Sequence, residues 1–137
     1  MENIRIPLHH VHESLGAKII PYGGFKMPVR YSSDREEHLT VRNGVGVFDV
    51  SHMGEVFFEG PGALDAVRRL VTNDLSIDDG EAQYTCLCNH DGGILDDLIV
   101  YRLTSSRVLL CINASNRQKD FEWLRDHNPD SSVSVVN

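Results

Sequence analysis

Cysteine and tryptophan are scarce in this sequence. Of its 137 residues, three are cysteines and one is a tryptophan. The odd, low number of cysteines (Cys86, Cys88 and Cys111) does not indicate a disulfide framework, so a reducing, cytoplasmic compartment is the expected location. Cys86 and Cys88 lie two residues apart, and no further ligands follow at metal-like spacing. We therefore expect buried thiols and no metal site.

Positive charge and long apolar runs are also lacking. Thirteen Lys and Arg residues stand against 20 Asp and Glu, a formal net charge of -7, which disfavours binding to nucleic-acid phosphates. No apolar run approaches the roughly 18 residues of a membrane helix, and residues 1–10 lack the apolar core of a signal peptide. We expect neither a nucleic-acid nor a membrane partner. A composition with 41% apolar and 24% charged residues is typical of a globular domain.

The first fifty residues predict short elements that do not form an obvious unit. Extended segments over 17–22 and 27–31 flank a Gly-Gly turn. Ser33, followed three residues later by Glu36, is a capping box and predicts a helix that runs to about Asn43.

Several histidines lie near the start of the chain. A short helix is predicted over 7–15, and its spacing does not place His9, His10 and His12 on one face, so we expect a solvated surface rather than a metal site. Residues 49–53 (DVSHM) contain the side-chain types of a charge relay. Residues so close in an extended segment cannot converge as a triad, and no nucleophile elbow accompanies them.

From residue 51 the pattern becomes regular and predicts an α+β domain over 51–137. The predicted strands are 55–59, 82–89, 94–103, 107–112 and 133–136, with one helix that opens at Pro61 and another over 116–127 that is capped by Ser115 and Gln118. The order β-α-β-β-β-α-β favours an antiparallel sheet with helices on one face. It resembles a ferredoxin-like fold with one extra strand.

Two adjacent carboxylates interrupt an otherwise apolar strand in the segment GGILDDLIVY. Because side chains alternate along a strand, Asp96 and Asp97 point to opposite faces, each among apolar neighbours. Partial burial raises the pKa of a carboxyl group and suits it to proton exchange near neutral pH. The alternative is that both aspartates end the turn and accept hydrogen bonds from backbone N–H groups.

Loop lengths predict which side chains share a sheet face. If residues 90–93 form the first hairpin loop, Tyr84 lies opposite Ile99 and diagonal to both Asp97 and Tyr101. Two aromatic rings and a carboxylate on one face suit a flat heterocycle with polar edges.

The second hairpin adds an amide to the same face. If residues 104–106 form its loop, Asp97 lies opposite Asn113. A slip of one residue in the first loop would put Asp96 on this face instead. The predicted cluster is Tyr84, Asp97, Tyr101 and Asn113.

Five segments, in this order and spacing, form a set that resembles a known family. They are 21–28 (PYGGFKMP), 47–53 (VFDVSHM), 72–74 (TND), 82–85 (AQYT) and 92–101 (GGILDDLIVY). Together they resemble the glycine cleavage system T proteins, which are tetrahydrofolate-dependent aminomethyltransferases. One departure is Phe25, where the family often has Trp; an aromatic ring is retained.

The resemblance implies a reaction and assigns residues to it. An aminomethyl group on the dihydrolipoyl arm of lipoylated H protein gives its methylene carbon to tetrahydrofolate, and ammonia leaves. By position in the motif, Asp97 would be the acid–base carboxylate beside the reactive nitrogens of folate. Met53, Tyr84, Tyr101 and Asn113 fall where the family lines its folate pocket. The agreement with the strand register favours Asp97 over Asp96.

The resemblance covers only the N-terminal part of the family, whose members have three domains around a folate channel. It implies that residues 1–50 are the opening segment of a discontinuous folate-binding domain. We therefore expect a truncated chain that binds folate weakly and turns over little or nothing alone. An incomplete domain exposes apolar surface and strand edges, which favours self-association.

Two other functions stay open. One is a related folate enzyme, such as a folate-dependent demethylase or the folate domain of dimethylglycine or sarcosine oxidation. The other is a non-catalytic α+β interaction module. Dependence on lipoylated H protein separates the aminomethyltransferase from the first, and the effect of replacing Asp97 separates it from the second.

Overall fold

The computed structural model describes residues 3–137, and they form two compact units, residues 3–52 and 53–137. The sequence places the boundary slightly earlier, at residue 50. That the first segment belongs to a discontinuous domain stays a prediction. Among the helices of residues 3–137, none combines the length and the apolar character needed to cross a bilayer.

The first unit is a three-stranded sheet with two helices. Its elements are β1 (Ile4–Arg5), α1 (His9–Ser14), β2 (Lys18–Tyr22), β3 (Phe25–Arg30) and α2 (Asp34–Asn43). Strand β3 lies in the centre, parallel to β1 and antiparallel to β2. The predicted cap is confirmed, because Ser33 Oγ accepts a hydrogen bond from the Glu36 N–H at 3.2 Å and the helix ends at Asn43.

The second unit is a five-stranded antiparallel sheet with two α-helices. Its elements are β4 (Gly54–Glu59), α3 (Ala63–Arg68), β5 (Ala82–Cys88), β6 (Ile94–Thr104), β7 (Arg107–Ile112), α4 (Arg117–Asp126) and β8 (Ser134–Val136). The strand order is β5-β6-β7-β4-β8. Without the edge strand β5, the order β8-β4-β7-β6 is that of a ferredoxin-like sheet. The predicted α+β class is confirmed.

One face of this sheet is covered by α3 and α4, and the other carries Tyr84, Asp97 and Tyr101, three of the candidate site residues. The buried cluster takes alternate strand residues and the inner faces of the helices, among them Val56, Phe58, Val67, Leu98, Val100, Leu110 and Leu124. We call the opposite side the open face. Because side chains alternate, Asp96 lies on the core face, where it is buried, and Asp97 lies on the open face, where it is exposed.

The first helix of this unit starts later than predicted. Pro61 precedes the helix, which begins at Ala63. Gly62 lies between them with φ +85°, a left-handed conformation that a helix cannot continue through.

The predicted cap of the last helix is wrong. α4 begins at Arg117 after a 3₁₀ turn over Ala114–Asn116, and no side chain caps it. Gln118 Nε2 instead donates to Glu122 on the next turn at 2.6 Å.

Candidate functional site

The open face brings Tyr84 and Asp97 together. β5 and β6 pair so that Tyr84 lies opposite Ile99 and Cys86 opposite Asp97, which is the predicted register. The Tyr84 hydroxyl donates a hydrogen bond to Asp97 Oδ2. Tyr101 lies on the same face of β6 and is half-buried. Three of the predicted side chains therefore share one surface.

The Tyr84–Asp97 pair is open to solvent. Tyr84 is 60% exposed, and Asp97 is exposed as well, so the expectation of a partly buried Asp97 is wrong. The hydrogen bond to the Asp97 carboxylate raises the pKa of Tyr84 above its usual value of 10.0. The phenol thus stays protonated and holds one carboxylate oxygen, and the ring remains available for a ligand.

The turn between β5 and β6 is closed by Asn89 rather than by the aspartates. Its Oδ1 accepts the Gly93 N–H at 2.7 Å and the Asp91 N–H at 3.1 Å. The pairing shifts by one residue at this end, so that Cys88 lies opposite Ile94. The shift is confined to the end of the hairpin, and the register of Tyr84 and Asp97 is therefore retained. The alternative in which both aspartates end the turn is wrong.

Asn113 approaches the two aspartates differently from the prediction. Strand β7 ends at Ile112, and the Asn113 side chain does not reach the Asp97 carboxylate. Its Nδ2 donates to Asp96 Oδ1 at 3.0 Å and to the backbone carbonyl of Asp97 at 2.8 Å. Asn113 thus ties the backbone beside the open-face carboxylate to the buried one.

Asp96 is a buried carboxylate with several donors. In addition to the Asn113 amide, it accepts the Asn113 backbone N–H at 3.1 Å and Asn116 Nδ2 at 2.8 Å. Burial acts to raise the pKa of Asp96, but the interaction with Asp120 and the hydrogen bonds from Asn113 and Asn116 outweigh burial, and the pKa lies below its usual value. Asp96 is held ionised inside the unit and is not a ligand-facing group.

Met53 lies at the edge of this region. It directly precedes β4 and is half-buried. Gly54 pairs with Ile112, and the same register extended by one residue places Met53 beside Asn113. The cysteines are half-buried free thiols rather than fully buried ones.

The first unit contains a hydrogen-bonded network that the sequence did not reveal. His12 Nε2 donates to Asp49 Oδ2 at 2.8 Å, and His12 Nδ1 lies 2.6 Å from the Tyr31 hydroxyl. The side chains of His12 and Asp49 are 8% and 7% exposed. The expected solvated surface at His9 and His12 is therefore wrong, since both are buried.

The network keeps Asp49 charged. Burial acts to raise its pKa, but hydrogen bonds from Ser51 and His12 outweigh burial and lower the pKa to about 2. The network also contains a serine, Ser51, but its hydroxyl donates to Asp49 Oδ1. Both ring nitrogens of His12 are taken by Tyr31 and Asp49, so the imidazole is not placed to activate a serine. We therefore interpret the network as a structural one.

Comparison with known proteins gives one consistent result. The family model of the GCVT N-terminal domain matches residues 8–137. An aminomethyltransferase of Flavobacterium psychrophilum is 50% identical over 131 residues, 95% of this chain and 36% of that protein. One from Bacillus pumilus is 51% identical over 134 residues, 97% of this chain and 37% of that protein.

A solved structure gives the same picture. The crystal structure of glycine cleavage system aminomethyltransferase T from Bartonella henselae matches with a TM-score of 0.86 and 34% sequence identity. The match covers 96% of this chain and 37% of that one. The chain thus spans little more than a third of the length of the relatives it matches.

Proposed function

Because this chain belongs to the family of GCVT N-terminal domains, we propose that it forms the N-terminal part of a tetrahydrofolate-dependent aminomethyltransferase. The methylene carbon would come from an aminomethyl group on lipoylated H protein, and ammonia would leave. Relatives of this chain carry the name aminomethyltransferase, which supports the reaction class. The observation that carries the residue assignment is the Tyr84–Asp97 pair on the open face.

The open-face side chains fit a folate. A pterin is flat and has polar edges, so it needs aromatic or apolar surface and a few directed polar groups. Tyr84 and Tyr101 offer rings on one face, and Met53 offers an adaptable apolar side chain. Both N–H bonds of the Asn113 amide are directed at Asp96 and Asp97, so its amide oxygen is the group we expect to contact the ligand.

Asp97 is the residue that we propose to move protons. Tetrahydrofolate would supply the amine nitrogens that accept the one-carbon unit. The Asp97 carboxylate would take a proton from the attacking nitrogen and return one as the amine leaves. Tyr84, whose hydroxyl binds Oδ2, would orient the carboxylate and leave its other oxygen for the substrate.

Ligand binding tests the site on the chain itself. We expect a stable reduced folate, 5-formyltetrahydrofolate, to shift the NMR signals of Tyr84, Tyr101 and the β5–β6 amides, with weak affinity. Asp97→Asn should weaken this binding. Asp91→Asn is the matched control, because Asp91 is an exposed aspartate in the adjacent turn. Equal affinity of the two variants, or shifts confined to other residues, would remove Asp97 from the proposed site.

Turnover tests the reaction. We expect little or no ammonia release from the 137-residue chain with aminomethylated H protein and tetrahydrofolate. In a longer chain that includes the region the relatives have beyond this one, Asp97→Asn should lower the rate by about 10²–10⁴-fold. An unchanged rate would favour a non-catalytic module. A rate supported by dimethylglycine or sarcosine instead of H protein would favour a related folate enzyme.

The first unit exposes apolar side chains that suit a contact surface. Val45, Val47 and Phe48 are 81%, 97% and 70% exposed, and such apolar exposure is typical of a surface that is covered in an assembly. We propose that residues 1–50 are part of a discontinuous domain, and that self-association hides this surface when the rest of that domain is missing. The free thiols are compatible with the reducing cytoplasm that we propose as the location.

A further inference from the structure

Asp120 is a completely buried carboxyl group on α4. Within the part of the chain that the structure describes, neither of its oxygens receives a hydrogen bond from an N–H or O–H donor. The Lys119 ammonium comes only to 3.6 Å from Oδ1, from a side chain that is half exposed. An ionised carboxylate without donors is strongly disfavoured in an apolar interior, so the surroundings of Asp120 favour its neutral acid form.

The ionisable neighbour of Asp120 is the Asp96 carboxylate, which is also buried and acts on the pKa of Asp120. The Lys119 ammonium links the two positions, because it lies 2.6 Å from the carbonyl oxygen of Leu95, next to Asp96 in strand β6, and 3.6 Å from Asp120 Oδ1. Asp96 already has three amide donors, from Asn113 and Asn116. Two ionised carboxylates have no hydrogen to share and repel each other, so one proton between them is stabilising. The amide donors favour Asp96 as the ionised member, which leaves the proton on Asp120.

We propose that Asp120 is a positioning residue that acts as a neutral acid: its O–H donates to Asp96, which in turn holds Asn113 and the backbone of Asp97. The contacts run from Asp120 to the Asp96 carboxylate, then to the Asn113 amide, and from that amide to the Asp97 carbonyl at 2.8 Å. A completely buried group thereby fixes the backbone at the open-face carboxylate. The relevance of this network to catalysis rests on the function proposed above. The existence of the network does not depend on that function.

The proton makes this network sensitive to pH. The ionisable groups that act on Asp120 are Asp96 on β6 and Lys119 on its own helix; burial and Asp96 raise the pKa of Asp120 to about 7. Below this value the network is complete. As pH rises through it, the two carboxylates become alike in charge and the Asn113–Asn116 turn loosens.

NMR of the 137-residue chain tests the proposal directly. We expect the side-chain carbon of Asp120 to titrate with a midpoint near 7, and the side-chain NH₂ signals of Asn113 and Asn116 to follow the same curve. Observing the Asp120 carbon itself separates this event from histidine titrations in the same range. A midpoint for Asp120 below about 5, close to the usual range of an aspartate, would overturn the proposal.

A conservative variant supplies the second test. In Asp120→Asn the amide donates to Asp96 at every pH, so the Asn113 and Asn116 signals should stop titrating near 7 while their low-pH positions are kept. Asp126→Asn, an exposed change on the same helix, should leave the titration unchanged. If the Asn113 and Asn116 signals still titrate near 7 in Asp120→Asn, the proposed role is contradicted. If this variant does not fold, the titration of Asp120 in the wild-type chain decides between the outcomes.

Binding of the folate probe separates this inference from the proposed function. If both hold, binding weakens above pH 7 in the wild-type chain but not in Asp120→Asn. If Asp120 does not titrate near 7 while Asp97→Asn still weakens folate binding, the inference fails and the proposed function stands. If Asp120 titrates as expected and no folate binds, the inference stands and the proposed function fails.

Discussion

The buried hydrogen bond between His12 and Asp49 in the first unit allows a stability prediction with a worked magnitude. The pKa of Asp49 is lowered from 3.8 to about 2, and each unit corresponds to about 1.4 kcal/mol. Because Asp49 and His12 are both buried, solvent screens this interaction little. The ionised carboxylate should therefore contribute about 2 kcal/mol to the free energy of unfolding at neutral pH.

The sign of the pH dependence follows from the direction of the shift. A carboxyl group whose pKa is lowered on folding stabilises the fold above its unfolded pKa, and loses that contribution as pH falls through its folded pKa. For Asp49 the contribution is complete above about pH 5 and declines towards pH 2. Asp49→Asn should therefore lower stability by about 2 kcal/mol near pH 6.5 and by less than half of that near pH 2.5.

Urea unfolding followed by NMR signals of the β3 amides measures the effect in the unit concerned. Trp123, the single tryptophan, lies in the second unit, and its fluorescence reports that unit separately. Asp34→Asn is the matched control, because Asp34 is a 74% exposed aspartate of the first unit and should cost about 0.5 kcal/mol or less. Equal losses for Asp49→Asn at both pH values, or a loss no larger than the control, would refute the reasoning.

Two backbone features give further predictions. Ser33→Ala removes the cap of α2 and should cost about 1 kcal/mol, measured as faster hydrogen exchange over 34–43; unchanged exchange would contradict the capping role. Gly60 has φ +138°, and an added Cβ would lie 2.6 Å from the Ser132 carbonyl oxygen. Gly60→Ala should therefore cost about 1–3 kcal/mol. Gly80→Ala, where φ is also positive but nothing lies within 4 Å, should cost less; equal losses would show that the close approach is unimportant.

The parts of the fold that the sequence predicted are those that local rules determine. The register of two consecutive hairpins follows from loop lengths, so Tyr84 and Asp97 could be placed on one face from residues 82–112 alone. The one-residue shift in pairing at the end of β5 leaves the rest of the register unchanged because it lies at the turn. The cap at Ser33 is likewise a contact over three residues.

The parts that escaped prediction depend on contacts between distant segments. His12 and Asp49 are 37 residues apart, and no periodicity relates a short helix to an extended segment. Asn113 was placed by extending β7 past Ile112, but the strand ends there because the Asn113 amide and backbone N–H both turn to Asp96. Strand register predicts which face of the sheet a residue lies on. It does not predict where the strand ends or which acceptor a side-chain amide bonds.

Strand alternation gives the two adjacent aspartates different surroundings, and we propose a different role for each. Asp96, on the core face, is surrounded by amide donors and by the buried Asp120, so its charge is used within the fold. Asp97, on the open face, has one oxygen bound by Tyr84, so its charge is available to a ligand. With Asp96 alone, the Asn113–Asn116 turn would keep its acceptor, but the open face would lack a carboxylate. With Asp97 alone, the open face would keep its carboxylate, but the Asn113 amide would lose its main acceptor. Because the two aspartates are neighbours in sequence, one amide, that of Asn113, bonds the Asp96 carboxylate and the backbone carbonyl of Asp97 at once, and so links the buried carboxylate to the backbone that carries the proposed functional one.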